Sequence, residues 1–317
     1  MISELESTPP PPSPLSGRDC LTLAEFTREE ARLVLDEAVK LKGLQRSRIP
    51  FRPLRGRTLA MVFQKPSNRT RVSFEVGMYQ LGGHALHLLP QEIQIGKRET
   101  PSDTGRVLAR YIDAIMVRTF DHAEVEELAG AAEVPVINGL TDQHHPCQAL
   151  ADLLTVREGF GGLEGVEISY VGDGNNVAHS LAIGCALTGA SLTIAHPEGH
   201  APDPGVVDLA ASLGAAPTLT GDPREAAAGA RVVYTDVWAS MGQEEEAEER
   251  KQRFAPYQVN EELMALAADD AIFLHCLPAH RGEEVTAGVI DGRQSRVFDQ
   301  AENRLHAQKA LLYLLLS

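Results

Sequence analysis

The chain lacks any apolar run approaching the roughly 20 residues a membrane-spanning helix needs, so its 43% hydrophobic content reads as globular core. Basic tracts are missing too. Lys and Arg number 29 against 44 Asp and Glu, a formal charge of −15, and a surface of that sign does not suit nucleic acid. Cysteine is scarce: Cys20, Cys147, Cys185 and Cys276 show no Cys-x-x-Cys spacing and no regular framework. A reducing, cytoplasmic setting is expected. The first residues have prolines at 9–12 and 14 but no apolar signal-type segment. Residues 1–16 therefore read as a disordered tail, neither signal nor transit peptide.

Against that background, the stretch Lys65-Pro66-Ser67-Asn68-Arg69-Thr70-Arg71-Val72-Ser73-Phe74-Glu75 stands out. An apolar segment at 59–63 precedes it, and Phe74, Met78 and Leu81 follow at helical spacing, closed by Gly82-Gly83. Ser67 falls at the N-cap, and the first turn carries Asn68, Arg69 and Thr70 with no acidic residue. Free backbone N–H groups, the positive helix end, hydroxyls and a guanidinium make an anion site suited to phosphate. Arg71 lies four residues before Glu75, a spacing for an ion pair along the helix.

Further apolar runs at 85–89, 112–117, 134–137, 166–171, 191–195, 231–235 and 271–274 read as strands. Helical patterns fall at 21–41, 102–111 and 122–132, after Pro146, at 177–187 and at 301–316. Alternation of this kind over 317 residues predicts two doubly wound α/β domains with parallel sheets. Gly159-Phe160-Gly161-Gly162 is the expected hinge.

In open α/β sheets ligands bind beyond the carboxyl ends of the strands, and the uncommon polar groups all fall there. Arg118 ends one strand and His145 and Gln148 follow another. Asn175 and Asn176 come after a third, Asp236 after a fourth, and His275-Cys276-Leu277-Pro278 after a fifth. Gly172-Asp173-Gly174-Asn175-Asn176-Val177 could pass for a dinucleotide fingerprint, but Val177 stands where Gly or Ala is wanted. His144-His145 near Asp142 suggests a metal, yet no further ligands have suitable spacing, and none is expected. Trp238, the only tryptophan, is expected to pack. The acidic run 244–249 is expected to begin a solvated helix, with a mobile covering loop hinged at Gly242 as the alternative.

Ser67-Asn68-Arg69-Thr70-Arg71, His145-Pro146-Cys147-Gln148, Asp236-Val237-Trp238-Ala239-Ser240-Met241-Gly242 and His275-Cys276-Leu277-Pro278 resemble, in order and spacing, the signatures of the carbamoyltransferases. The last two resemble the ornithine-specific branch, and the match runs from about Leu21 to the end of the chain. Asn68 departs from the family pattern, which often has threonine or another small residue there. A backbone contact would survive that change and a hydroxyl contact would not.

The resemblance implies a carbamoyl phosphate-binding domain over 17–158, an ornithine-binding domain over 159–300 and a helix over 301–317 returning to the first domain. It implies that Ser67, Asn68, Arg69 and Thr70 hold the phosphate, with Arg118 as a second cation. His145, helped by Arg118 and Thr70, would face the carbonyl oxygen. Gln148 and the backbone carbonyls of Cys276 and Leu277 would hold the carbamoyl NH2, and Arg304 would add a further contact. Gln94 matches a residue contributed across a subunit interface, implying a homotrimer. Ornithine would meet Asn176, Asp236, Ser240 and Met241, with Asp236 and Cys276 beside its reacting amine. No cofactor is implied. An aspartate-specific enzyme would need cations for a second carboxylate. A carbamoyltransferase for putrescine or an N-acylornithine stays open, as does a non-catalytic sensor on the same scaffold.

Overall fold

The computed structural model describes residues 12–89, 93, 99–239 and 247–317. They pack as two units: the chain through Leu21 with Leu33–Gly139 and Leu305–Ser317, and Thr22–Arg32 with Leu140–Arg304.

The first unit is built on a four-stranded sheet in the order β2-β1-β3-β4, with β1 Thr58–Phe63, β2 His84–Leu88, β3 Ala114–Arg118 and β4 Val136–Leu140. β1 lies parallel to β2 and β3, with Phe63 opposite Arg118. β3 is buried throughout because both its faces are covered, so its sequence reads as one apolar run. β2, at the edge, is half exposed. Helices α1 Arg28–Arg46, α2 Asn68–Leu81, α3 Pro101–Leu108 and α4 His122–Ala131 come between and around these strands. Ala60, Val62, Ile115, Val117, Val125 and Leu128 form much of the core.

The second unit carries a five-stranded parallel sheet, β7-β6-β5-β8-β9. Its strands are β5 Glu167–Val171, β6 Ser191–Ala195, β7 Thr218–Thr220, β8 Val232–Thr235 and β9 Ile272–His275. Helices α5 Pro146–Phe160, α6 Asn176–Thr188, α7 Pro204–Leu213, α8 Pro223–Ala227, α9 Ala247–Phe254, α10 Glu261–Met264 and α11 Ala287–Ile290 accompany it. The last helix, α12 Val297–Leu316, begins in the second unit and continues into the first. Two doubly wound parallel-sheet domains are therefore present, with the closing helix returning to the first.

Each sheet reverses direction once. From β1 the chain goes outward to β2, then β3 and β4 add on the opposite side; from β5 it goes to β6 and β7, then to β8 and β9. Adjacent loops part at such a reversal and leave a crevice at the strands' carboxyl ends. The reversals fall between β1 and β3 and between β5 and β8.

Three sequence expectations need correction. The fourth strand runs to Leu140 instead of ending at 137, because it is paired with β3 in the sheet; on its other side Cys20 N–H donates to Val136 O at 2.8 Å, and Asn138 N–H to Cys20 O at 2.8 Å. Gly139 fits there because a Cβ would meet Met116 Sδ at 2.4 Å. The closing helix starts at Val297, four residues before the expected 301. The expected tail is also too long. Leu15 is fully buried and Gly17 N–H donates to Leu315 O at 2.9 Å, since α12 offers its end carbonyls there. Residues 1–11 lie outside the described residues. Gly161, at φ 78°, caps α5 within the second unit.

Candidate active site

At the first unit's reversal, Ser67 caps α2 as its sequence requires. Its Oγ accepts from Thr70 N–H at 3.3 Å and donates to Thr70 Oγ1 at 3.1 Å. Asn68 and Arg69 begin the helix and are exposed, while Thr70 is buried. The loop is fastened to the neighbouring strand: Gln64 N–H donates to Arg118 O at 2.8 Å and Lys65 N–H to the same oxygen at 3.3 Å. Arg118 and Lys65 are buried, and the Lys65 ammonium lies 4.2 Å from the Phe120 ring centroid. A helix N-terminus without an acid in its first turn, with cations on both flanking segments, can hold a phosphate. Arg71 is ion-paired with Glu75 at 3.4 Å, as its spacing predicts.

In the second unit, His145 precedes Pro146, which occupies the favoured first helical position of α5. The loop bearing it is pinned by one face of α6. His145 N–H donates to Ser180 Oγ at 2.7 Å, and Asn176 Nδ2 to Thr141 O at 2.5 Å. His179 Nδ1 lies 2.9 Å from Gln143 O, and its Nε2 accepts from Asp203 N–H at 2.9 Å. Those two bonds place the His179 proton on Nδ1. Burial lowers its pKa, against the Gln143 carbonyl and nearby carboxylates, and keeps it neutral.

One turn into α5, Gln148 is held at both ends. Its Nε2 donates to Asp152 Oδ1 at 2.8 Å and its Oε1 accepts from Arg304 at 2.7 Å. Asp152, fully buried, also accepts from Gln300 at 2.6 Å and Tyr234 at 3.0 Å. Burial raises its pKa to about 6, restrained by the Gln300, Gln148 and Tyr234 hydrogen bonds and the Arg304 charge. Gln300 reaches further, accepting from His275 N–H at 2.9 Å. Cys147 is fully buried, and burial pushes its thiol up to about 12.

At the second reversal, Asn175 caps α6 and accepts from Val177 and Ala178 N–H groups. Its Nδ2 donates to Asp236 Oδ2 at 2.9 Å, and Cys276 Sγ donates to Asp236 Oδ1 at 2.8 Å. The loop after β9 is fixed by a relay: Leu277 N–H donates to His275 Nδ1 at 2.8 Å, and His275 Nε2 lies 3.2 Å from Glu284 Oε1. Burial raises the Glu284 pKa, but the His275 and backbone hydrogen bonds outweigh it and leave the carboxyl below its usual value. Leu277 has φ 58°, a left-handed conformation that a branched residue adopts only when its surroundings impose it.

The dinucleotide reading finds no support in this loop. A Cβ on Gly174 would meet Pro202 N at 2.1 Å, so that glycine serves packing against a neighbouring loop. Asp173 is engaged by Arg250 and by His200. Trp238 packs on Phe254, as expected. Among the described residues the groups spaced for a metal are Asp236-His275-Cys276 and His280-Glu283-Glu284, neither containing His144 or His145. In the first, both His275 nitrogens are engaged.

Of the expected site residues, Ser67, Asn68, Arg69, Thr70 and Arg118 gather at one reversal. In the second unit Gln148 meets Arg304, and Asp236 meets Cys276 beside Leu277. Asn176 braces the loop that bears His145. Gln94, Ser240 and Met241, with Gly242, lie outside the described residues. Sequence reasoning missed Lys65, Asp152, Gln300 and the His275–Glu284 pair. Asp152 had a signal, four residues after Gln148 on the same helix face. Gln300 had none, because its partners are distant in sequence.

Comparison with known proteins shows the family and the fold. Residues 18–158 match the family model described as aspartate/ornithine carbamoyltransferase, carbamoyl-P binding domain. Residues 164–315 match its Asp/Orn binding domain. An ornithine carbamoyltransferase of Anoxybacillus flavithermus is 60% identical over 306 residues, covering 95% of this chain and 98% of that protein. The Pyrococcus furiosus protein named ornithine carbamoyltransferase, anabolic, is 56% identical over 306 residues, covering 95% and 97%. A solved structure of ornithine carbamoyltransferase from Pyrococcus furiosus superposes with a TM-score of 0.92 at 56% identity, covering 95% of this chain and 98% of that one.

Proposed function

The chain belongs to the aspartate/ornithine carbamoyltransferase family, and we propose that it transfers the carbamoyl group of carbamoyl phosphate to the Nδ amine of L-ornithine. The products are L-citrulline and phosphate. The name of the Pyrococcus furiosus relative supports an anabolic role, in arginine synthesis. The amine nitrogen bonds to the carbonyl carbon, the C–O bond to phosphate breaks, and the amine loses a proton. No covalent enzyme intermediate is needed, so the protein's work is alignment and stabilisation of charge.

In this reading Ser67, Asn68, Arg69 and Thr70 take the phosphate, with Arg118 as the second cation, and stabilise the charge that grows as it leaves. His145 donates to the carbonyl oxygen. Gln148 Oε1, Arg304 and the carbonyls of Cys276 and Leu277 serve the carbamoyl group. Asp236 receives the ornithine amine and Asn176 the amino-acid end, while Ser240 and Met241 shape the side-chain pocket. An ornithine amine with a reference pKa near ~10, like lysine, must be neutral to attack, and desolvation favours that form. Asp236 carries the assignment: a carboxylate only 7% exposed, oriented by Asn175 and Cys276 at a sheet reversal, suits an amine and not a second carboxylate.

We divide the work between a carbamoyl phosphate-binding domain (17–158) and an ornithine-binding domain (159–300), with the closing helix, which starts at Val297, continuing into the first unit. The proposed assembly is a homotrimer in the cytoplasm, with Gln94 serving a neighbouring subunit's site. No helix among the described residues is long and apolar enough to cross a membrane. Citrulline and phosphate release from carbamoyl phosphate plus ornithine tests the activity; turnover of putrescine without citrulline formation would reassign the acceptor. Light scattering tests the trimer.

A further inference from the structure

A cavity of about 250 Å³ lies within the first unit. It sits at the far end of α2 from Ser67, about 18 Å along the helix. Lys309 lines it and is 4% exposed. The Lys309 ammonium donates to Gln45 Oε1 at 3.1 Å and Gln80 Oε1 at 2.8 Å. Neither acceptor is charged, and no carboxylate pairs with Lys309 among the described residues. Burial accordingly lowers its pKa to about 8. A buried cation without a counter-charge is costly.

Two more cations line the cavity, Arg48 and Arg52, and none of the described lining residues is acidic. In a chain of net charge −15, a concavity with three cations and no acid is a local inversion of the field. Arg48 closes α1: its N–H donates to Gln45 O at 3.0 Å and Ile49 N–H to Leu44 O at 2.9 Å, the Schellman pattern. Its φ of 55° is one that glycine adopts at lower cost, yet a guanidinium stands there. Apart from Tyr79 and the two glutamines that hold Lys309, the remaining wall is apolar, including Leu44 and Phe51, whose ring packs edge-on to Tyr313 at 5.3 Å.

We infer that this cavity is a second ligand site, separate from the proposed active site, for a small carboxylate borne on an apolar or aromatic body. Lys309, Arg48 and Arg52 supply the counter-charge, and Phe51 and Leu44 receive the body. The volume falls below the roughly 300–1,000 Å³ of sites for drug-sized molecules, which restricts the ligand to one ring or a short chain.

The test is calorimetric titration of the full chain with benzoate and, in parallel, with neutral benzamide. Saturable binding of benzoate at millimolar concentration, with none of benzamide, is expected. Lys309→Met should weaken benzoate by at least about tenfold and Arg52→Gln several-fold, while Arg69→Ala leaves it unchanged. Equal binding of benzamide, or undiminished affinity in Arg52→Gln together with a folded Lys309→Met, overturns the site. Loss of benzoate in Arg69→Ala also overturns it, by placing the anion at the phosphate loop. Should Lys309→Met not fold, Arg52→Gln alone decides.

Discussion

Asn175 donates its side-chain amide to Asp236 at 2.9 Å, joining the loop after β5 to the end of β8 where the strand order of the second sheet reverses. The same asparagine accepts the first amides of α6, so the Asp236 carboxylate is aimed by a helix cap. Cys276 closes on the other oxygen. An anion aimed in this way has little freedom to relax around a ligand, which is what a residue orienting an amine needs.

Asp236→Asn should therefore act on one substrate. It removes the charge proposed to face the amine and makes an NH2 group confront the Asn175 or Cys276 donor. A charged hydrogen bond is worth ~1.5–3 kcal/mol, so kcat/KM for ornithine should fall roughly 10–100-fold. The KM for carbamoyl phosphate should change little. Steady-state kinetics with each substrate varied checks this, and equal losses for both would count against the assignment.

Arg69→Ala addresses the phosphate loop. The side chain is exposed, so unfolding free energy should move by no more than about 0.5 kcal/mol. Turnover should fall about 10²–10³-fold if the guanidinium stabilises the leaving phosphate. Retained activity in a folded variant removes Arg69 from that role.

Asp152 predicts a pH dependence of stability. Its folded pKa is raised from 3.8 to about 6, so its contribution is fully present below pH 3.8 and lost as pH rises through about 6. The full loss is roughly 3 kcal/mol. Urea unfolding across that range should show Asp152→Asn losing this term, so its stability relative to the wild type rises with pH. A pH-independent difference between the two proteins would contradict the ionisation.

His179 works in the opposite sense. Its pKa is lowered from 6.5 by burial, and its Nε2 can accept the Asp203 N–H only when unprotonated. This contribution is present above about pH 6.5 and lost as pH falls through the folded value. His179→Gln should flatten the acid limb of the stability profile. Because His179 also anchors Gln143 in the His145 loop, the variant should lose kcat as well; unchanged kcat would separate the anchor from the chemistry.

How much of this was legible depended on distance along the chain. The capped helix at Ser67, the Arg71–Glu75 pair and Pro146 at a helix start are local, and local spacing revealed them. Most strands announced themselves as apolar runs, but the edge strand β7, Thr218–Thr220, exposed and half polar, did not and was missed. Nor did Asn138 to Leu140, since asparagine and glycine are poor strand formers and it is pairing in the sheet that extends the strand. Leu15 was hidden in a proline-rich context, and its burial depends on the distant C-terminus. Gln300 reads as an ordinary helical glutamine until it is seen between Asp152 and His275. Candidate residues were found by type and by position after strands, whereas the groups that orient them are tertiary facts.

The two units are interleaved in sequence, with passages after Leu21, Arg32, Gly139 and Arg304. A gene cut near residue 160, where the family models also divide the chain, would leave the amino-terminal product without its last helical segment. It would leave the carboxyl-terminal product without residues 22–32 and without the whole of α5, which presents Gln148 to Arg304. Neither piece would be a self-sufficient module, so exchanging acceptor specificity between relatives requires transferring two separate stretches of chain, residues 22–32 and 140–304.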